Sequence, residues 1–254
     1  MAPNASYNTL QQNIFEADEK IAEYNQRTAK IGIDLGYALS EKSQMRVGYS
    51  IGHIDAERTV GDPVLPNLSG TQSVATFRWD YYGQNSPQFP TRGLVVRSTA
   101  SWFFKSPGVD SGFPQAEARA IYAHRLNDQN ILFFSGAGGT TFTKTASPFQ
   151  KFTIGGLFRL GGYGRGEFRG DHYMFGEVGY MRRLYHLPSF LGGSIFAGGW
   201  YDGGSAFDDF DAARYNMSGT GGLLVETRLG PIFLGGSWAE GGRGKFYFAL
   251  GRIF

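Results

Sequence analysis

The last ten residues, Lys245-Phe-Tyr-Phe-Ala-Leu-Gly-Arg-Ile-Phe254, place Phe246, Phe248, Leu250 and Phe254 on one face of a strand. Lys245, Tyr247, Ala249, Gly251 and Ile253 fall on the other. A period of two with bulky aromatics on one side suits a strand that meets hydrocarbon on one face and something wetter on the other. A strand at the end of a chain must also find a partner, because an open edge cannot sit in hydrocarbon. The ending therefore constrains environment and architecture together.

The same alternation recurs along the chain. Ile31, Ile33, Leu35, Tyr37 and Leu39 oppose Gly32, Asp34, Gly36 and Ala38; Leu94, Val96, Ala100, Trp102 and Phe104 oppose Val95, Arg97, Thr99, Ser101 and Lys105. The second face is small or charged. Twelve strands are expected, near 5–15, 21–40, 43–59, 70–84, 92–105, 115–126, 129–143, 171–185, 192–206, 214–229, 231–240 and 244–254. Most exceed the ~9–11 residues needed to cross a bilayer at a tilt. Short turns at 40–43, 126–129 and 229–231 alternate with longer Gly- and Pro-containing loops at 60–70, 105–114, 144–170 and 206–214, which is the outer-membrane barrel arrangement. Leu10, Ile14, Ala17, Ile21 and Tyr24 also fit a helical spacing, but the preferred reading is a strand, a turn at Glu16–Lys20 and a long strand.

Composition agrees with an all-β transmembrane barrel of about twelve antiparallel strands, residues 1–254 forming one domain. Glycine, at 38 residues, is about twice its ordinary ~7% share. No run of 18 apolar residues exists, so no transmembrane helix is available. The negative mean hydropathy does not argue against a barrel, since only alternate residues meet lipid. Cysteine is absent, which removes disulfides and thiolate chemistry. The net charge of +2, with scattered basic residues, leaves no footprint for nucleic acid. The start, Met1-Ala-Pro-Asn-Ala-Ser-Tyr7, lacks the basic and apolar regions of a signal peptide, so an exported chain is expected to be in a mature or shortened form here.

One loop stands out. Residues 155–170 read Gly-Gly-Leu-Phe-Arg-Leu-Gly-Gly-Tyr-Gly-Arg-Gly-Glu-Phe-Arg-Gly. Leu157, Phe158, Leu160, Tyr163 and Phe168 are costly to leave in water together. The loop is therefore expected to fold inward against the barrel wall, where Arg159, Arg165 or Arg169 meets an inward carboxylate such as Asp202 or Glu177.

Here the chain resembles a known family. Leu160-Gly161-Gly162-Tyr163, with Arg165 and then Gly166-Glu167-Phe-Arg169-Gly170, is similar to the sixth extracellular loop of the BamA/TamA/FhaC superfamily, also called the bacterial surface antigen family. Trp200-Tyr-Asp202-Gly-Gly204 resembles that family's Phe-x-Asp-x-Gly strand motif, and five strands follow the loop. Ile21–Tyr24, Asp34–Gly36, Phe89–Gly93, Leu229–Gly235, Ala239–Gly242 and Gly251–Phe254 resemble the barrel of patatin-type autotransporters such as PlpD. The resemblance implies a non-enzymatic outer-membrane barrel that assists protein or lipid insertion into, or passage across, the bacterial outer membrane. It implies as partners the lipid bilayer and the outer-membrane assembly machinery that reads the C-terminal strand. A sheet of twelve strands either closes on itself or leaves two edges, through which a second copy could pair. Neither the family's soluble POTRA modules nor a patatin domain is expected, and no cofactor or metal is implied. The family usually has Arg where this chain has Gly161, so the implied contact with Asp202 falls to Arg165 or Arg169. A passive diffusion pore and a translocator barrel fragment are the alternatives. A pore would be lined by Arg46, Arg78, Arg97, Arg119 and Arg228 with Asp34, Asp80, Glu117 and Glu226. No Gly-x-Ser-x-Gly elbow occurs; Ser194 and Ser237 each lack the final glycine. His53, His124, His172 and His186 share no ligand spacing.

Overall fold

The computed structural model describes residues 1–16, 19–61, 67–86, 89–143, 147, 149–188 and 192–251. The C-terminal Phe254 lies outside them. The described residues form one twelve-stranded antiparallel sheet with a two-stranded ladder beside it. The sheet comprises β1 (Ala2–Glu16), β2 (Glu19–Ser40), β3 (Ser43–Gly61), β4 (Leu68–Tyr82), β5 (Gly93–Lys105), β6 (Phe113–Arg125) and β7 (Asn130–Thr140). After a long loop that holds β8 (Phe152–Ile154) and β9 (Phe168–Gly170), it resumes with β10 (His172–His186), β11 (Gly192–Phe207), β12 (Asn216–Thr227), β13 (Gly230–Ala239) and β14 (Arg243–Leu250). Every strand pairs with its neighbour in the order β1 to β7, then β10 to β14. Residues 9–16 and 19–24 are strands, not a helix. The β1–β2 ladder runs to Glu16 opposite Glu19, within the expected turn.

The alternation in the sequence becomes two faces. Ile31, Leu35, Tyr37, Val47, Trp102, Phe104, Val178, Trp238, Phe248 and Phe246, the last 75% exposed, all point outward. A belt of this kind needs lipid around it. At 22 and 19 residues, β2 and β3 are about twice the length that spans hydrocarbon, so their hairpin continues past the membrane on the long-loop side.

The inner face differs between the two halves. On β1–β5 it is polar, with Asn4, Ser6, Lys30, Asp34, Ser50, Thr76, Arg78 and Ser101 around a cavity of 440 Å³; Asn4 Nδ2 donates to Asp34 Oδ2 at 2.7 Å. On β7 and β10–β13 it is filled and largely apolar, with Ser135, Asp202, Ser218, Thr220 and Ser237 buried among the apolar side chains. Phe133, Met181, Phe196, Trp200, Leu224 and Phe233 form the largest core cluster, with Leu157 and Phe158 packed on it. Phe89, from the ten-residue link between β4 and β5 on the short-turn side, inserts into this cluster. It is 3% exposed, and its ring centroid lies 4.7 Å from that of Phe196. The family-like stretch Phe89–Gly93 thus carries a core residue that its sequence does not mark as buried. Arg228, expected to line the lumen, sits in the turn between β12 and β13.

β1 and β14 end the hydrogen-bonded order. Among the described residues no ladder joins them.

Candidate functional site

The loop between β7 and β10 enters the interior. Its base is the β8–β9 ladder, Phe152 opposite Gly170, Thr153 opposite Arg169 and Ile154 opposite Phe168. The tip is a run of tight turns closed by Gly156 N–H to Leu160 O (3.2 Å), Tyr163 N–H to Leu160 O (3.0 Å) and Gly166 N–H to Gly155 O (3.2 Å). Glu167 Oε2 accepts the Gly164 amide at 2.5 Å, and Gly166 adopts φ = 65°. Phe158 and Leu160 hold φ of 66° and 70°, left-handed values that cost a side-chain-bearing residue about 1–2 kcal/mol each. They persist because their side chains are well held. The Phe158 ring stacks on Trp200 with centroids 5.0 Å apart and meets Phe233 at 5.6 Å, while Leu160 is fully buried with Ile154, Tyr163, Tyr173 and Phe175.

Gly161 and Gly162 lie flat on the wall. A Cβ on Gly161 would stand 2.4 Å from Ser237 Oγ and 2.7 Å from Thr220 Oγ1; one on Gly162 would stand 2.3 Å from the Ala239 Cβ. As Ser237 and Thr220 stand in this chain, a side chain at position 161 would collide with both. The expectation that Arg165 or Arg169 takes over its contact with Asp202 is corrected. Asp202, fully buried, accepts the Leu160 backbone N–H at 3.3 Å and the Ser218 hydroxyl. Among the described ion pairs, a loop guanidinium reaches the inner wall at Arg159, 3.7 Å from Glu117 Oε1, and it also lies over the Tyr173 ring at 5.3 Å. Arg165 is exposed at the tip.

Of the wall residues singled out, Trp200 and Asp202 touch the loop. Gly204 leaves room for it; a Cβ there would come 3.1 Å from Ile154 Cδ1. Glu177 pairs in register with Asp202 across β10–β11. It faces the charge of Arg119, and among the described residues its Oε2 has no hydrogen-bond partner. Gly170 brings the loop base against the backbone of Phe207. Phe246, Phe248 and Leu250 lie on the outer face of β14.

Two contacts to β14 were not foreseen. Tyr247 Oη donates to Gly161 O at 2.6 Å, and Arg243 Nη1 lies 2.5 Å from Glu167 Oε1. Both residues are on the inward face of the last strand, and the alternation alone marks them as inward without naming their partner. At the loop base, Lys151 Nζ lies 2.7 Å from Asp208 Oδ1 and 3.7 Å from Asp171 Oδ2. Burial raises the Asp171 carboxyl above the ordinary range. Burial would raise Asp208 too, but hydrogen bonds from Lys151 and from the Asp171 amide together lower it. On the far side, Phe149 meets Tyr24 edge-on at 5.1 Å, so the loop also touches the β2–β3 hairpin.

The Omp85 superfamily domain matches residues 3–254. No curated protein sequence matches the chain. Among solved structures, BamA from Haemophilus ducreyi lacking POTRA domains 1–3 superposes with a TM-score of 0.74 at 13% identity, over 98% of this chain and 57% of that one. CdiB from Escherichia coli gives 0.66 at 11% identity, over 98% and 48%. CdiB from Acinetobacter baumannii gives 0.62 at 14%, over 94% and 44%. The chain thus spans about half the length of these similar structures, and at such identities they speak for the barrel fold.

Proposed function

The chain belongs to the Omp85 superfamily and is an integral β-barrel of the bacterial outer membrane, and on that premise we propose that it assists insertion of other proteins or of lipid into that membrane, or their passage across it, without enzymatic chemistry. The observation that carries this reading is the conjunction of an inward loop anchored on Asp202, Trp200 and Tyr247 with a sheet whose end strands share no described ladder. A strand edge left unpaired can template an incoming strand. On this reading residues 1–254 act as one barrel domain. A second copy can pair with the edges of β1 and β14, and the assembly machinery reads the β14 end during biogenesis.

The test is reconstitution. Liposomes carrying the purified barrel should speed the folding of an unfolded eight-stranded test barrel, and deletion of residues 157–169 should remove the effect. No acceleration by the intact chain refutes the assembly role. Cross-linking of engineered cysteine pairs at β1 and β14 reports the second copy: a dimer band supports edge pairing, and a monomer only counts against it.

The polar cavity on β1–β5 favours a second reading, a diffusion pore. Large stable conductance in planar bilayers would support it, and the apolar filling of the other half argues for small conductance.

A further inference from the structure

The polar wall of the interior carries a charge pattern that its packing does not use. Across β3 and β4, Arg46 stands directly opposite Arg78. Across β5 and β6, Arg97 stands directly opposite Arg119. Residues paired in this way share a face, and like charges so placed destabilise a sheet. The two pairs form one arc. Thr99 faces Arg78 and Asp80 faces Arg97 across β4–β5, which makes Arg78 and Arg97 diagonal neighbours about 7–8 Å apart. The shared face is the inner one, since Arg78 lines the polar cavity with Lys30 and Asp34 while Val47 and Phe77 point outward.

The wall does not neutralise this arc. Among the described residues none of the four arginines forms an ion pair. Arg46 Nη2 donates to Gln44 Oε1 at 3.3 Å, and Arg97 lies over the Tyr82 ring at 5.8 Å. Arg119 feels Glu177 from the facing wall, but also the like charges of Arg97 and Arg159. The acids of the same wall are engaged by other groups. Asp34 accepts from Asn4 at 2.7 Å, and Asp80 accepts from Gln44 Nε2 at 3.3 Å. Glu117 accepts Tyr173 Oη at 2.5 Å and lies 3.7 Å from Arg159. Arg46, Arg78 and Arg97 are exposed although they face inward, so the interior beside them is wet.

We infer that this half of the interior is a passage selective for small anions. The inference rests on the pore reading and gives it a class of permeant. Charge of one sign along a low-dielectric wall concentrates the opposite ions and repels its own kind, and arginine-lined constrictions admit anions in this way. Lys30, farther along β2 toward the long-loop side, continues the positive excess in the polar cavity. The loop and Phe89 fill the other half of the interior, so a permeating ion is held against the arginine side. The cost of opposing like charges is thereby spent on a field inside the lumen. No client protein is involved, which sets this role apart from assembly.

The test uses the full chain in planar bilayers under a potassium chloride gradient between about 0.1 M and about 0.01 M, where screening lengths of about 10–30 Å still reach across the lumen. The reversal potential of native channels is expected on the chloride side of zero. R46Q/R78Q should bring it closer to zero, and R46E/R78E should carry it across to the potassium side. R78E should shift it toward potassium, whereas R214E, the same change of net charge on an exposed residue of the β11–β12 loop, should leave it on the chloride side. Heat-modifiable migration checks the folding of each variant. Native channels that are unselective or prefer potassium overturn the inference and leave the pore reading standing. A reversal potential in R46Q/R78Q equal to that of the native chain also overturns it. Absence of any current refutes the pore reading, and the inference with it.

Discussion

Asp202 is where the loop is tied to the wall, and replacing it tests that tie. In Asp202→Ala the Leu160 N–H, now 3.3 Å from a carboxylate oxygen, loses its acceptor in a fully buried position. An unsatisfied buried donor costs about 1–3 kcal/mol, and losing the Ser218 bond adds about 0.5–1.5 kcal/mol. Taking about 3 kcal/mol together, the population of molecules with the loop undocked rises by a factor on the order of 10². The twelve-stranded ladder itself is untouched, so the barrel should remain folded. Trypsin reads the difference, because Arg159, Arg165 and Arg169 all lie in the loop and cleavage tracks the open population when reclosing is fast. Cleavage after Arg165 gives fragments 1–165 and 166–254 on boiled gels, while unboiled samples keep folded mobility. Asp202→Asn retains one acceptor oxygen and should raise cleavage by about tenfold. If Asp202→Ala is cleaved within about threefold of the native rate while equally folded, Asp202 does not hold the loop.

Gly162→Ala places a methyl 2.3 Å from the Ala239 Cβ and should cost about 1–3 kcal/mol by overpacking, seen as faster tryptic cleavage of the loop; Gly161→Arg, which brings back the family's usual residue, should do worse rather than better. Phe89→Ala empties a buried socket beside Phe196, at about 3–5 kcal/mol, and should lower the thermal midpoint and raise single-channel conductance. At the loop base the pH dependences of two carboxyls oppose each other. Asp171 is raised, so its contribution is most favourable below the unfolded carboxylate pKa and is lost as pH rises through the folded value; Asp208 is lowered, so its contribution is present above the unfolded pKa and lost as pH falls through the folded one. Asp171→Asn should therefore stabilise at neutral pH and Asp208→Asn destabilise, read from thermal unfolding between acidic and neutral pH. Phe248→Arg, on the outward face of β14, should destabilise the inserted barrel by up to about 2–4 kcal/mol, measured by denaturant titration in liposomes.

The strands were legible because their signal is local. Successive side chains must alternate between lipid and interior, so Ile31 to Leu39 or Leu94 to Phe104 announce themselves without help from distant residues. The long loop was legible as an inward element because Leu157, Phe158, Leu160 and Tyr163 cannot stay together in water. Its contacts were not. Which groups Asp202 accepts depends on how flat Gly161 and Gly162 lie against β12 and β13, and that depends on Thr220, Ser237 and Ala239, decades of residues further on. An ion pair was sought because charge is visible in a sequence; a backbone N–H looks the same at every residue. Phe89 was missed for a related reason: one aromatic in a short link carries no period. Tyr247 and Arg243 could be placed on the inner face, but only the fold says that the loop tip waits there.

The contacts from the loop to β14 also bear on the order of folding. Tyr247 reaches back 86 residues to Gly161 and Arg243 reaches back 76 to Glu167. The wall on which the tip rests, β11 to β14, is made after the loop. The tip therefore has no complete seat until the chain is nearly finished, and contacts this distant in sequence form slowly. Until that moment Trp200 and Phe233 lack the Phe158 ring that covers them. Docking of the loop is thus expected late in maturation, and a barrel caught just before it would carry every strand yet leave those two rings bare.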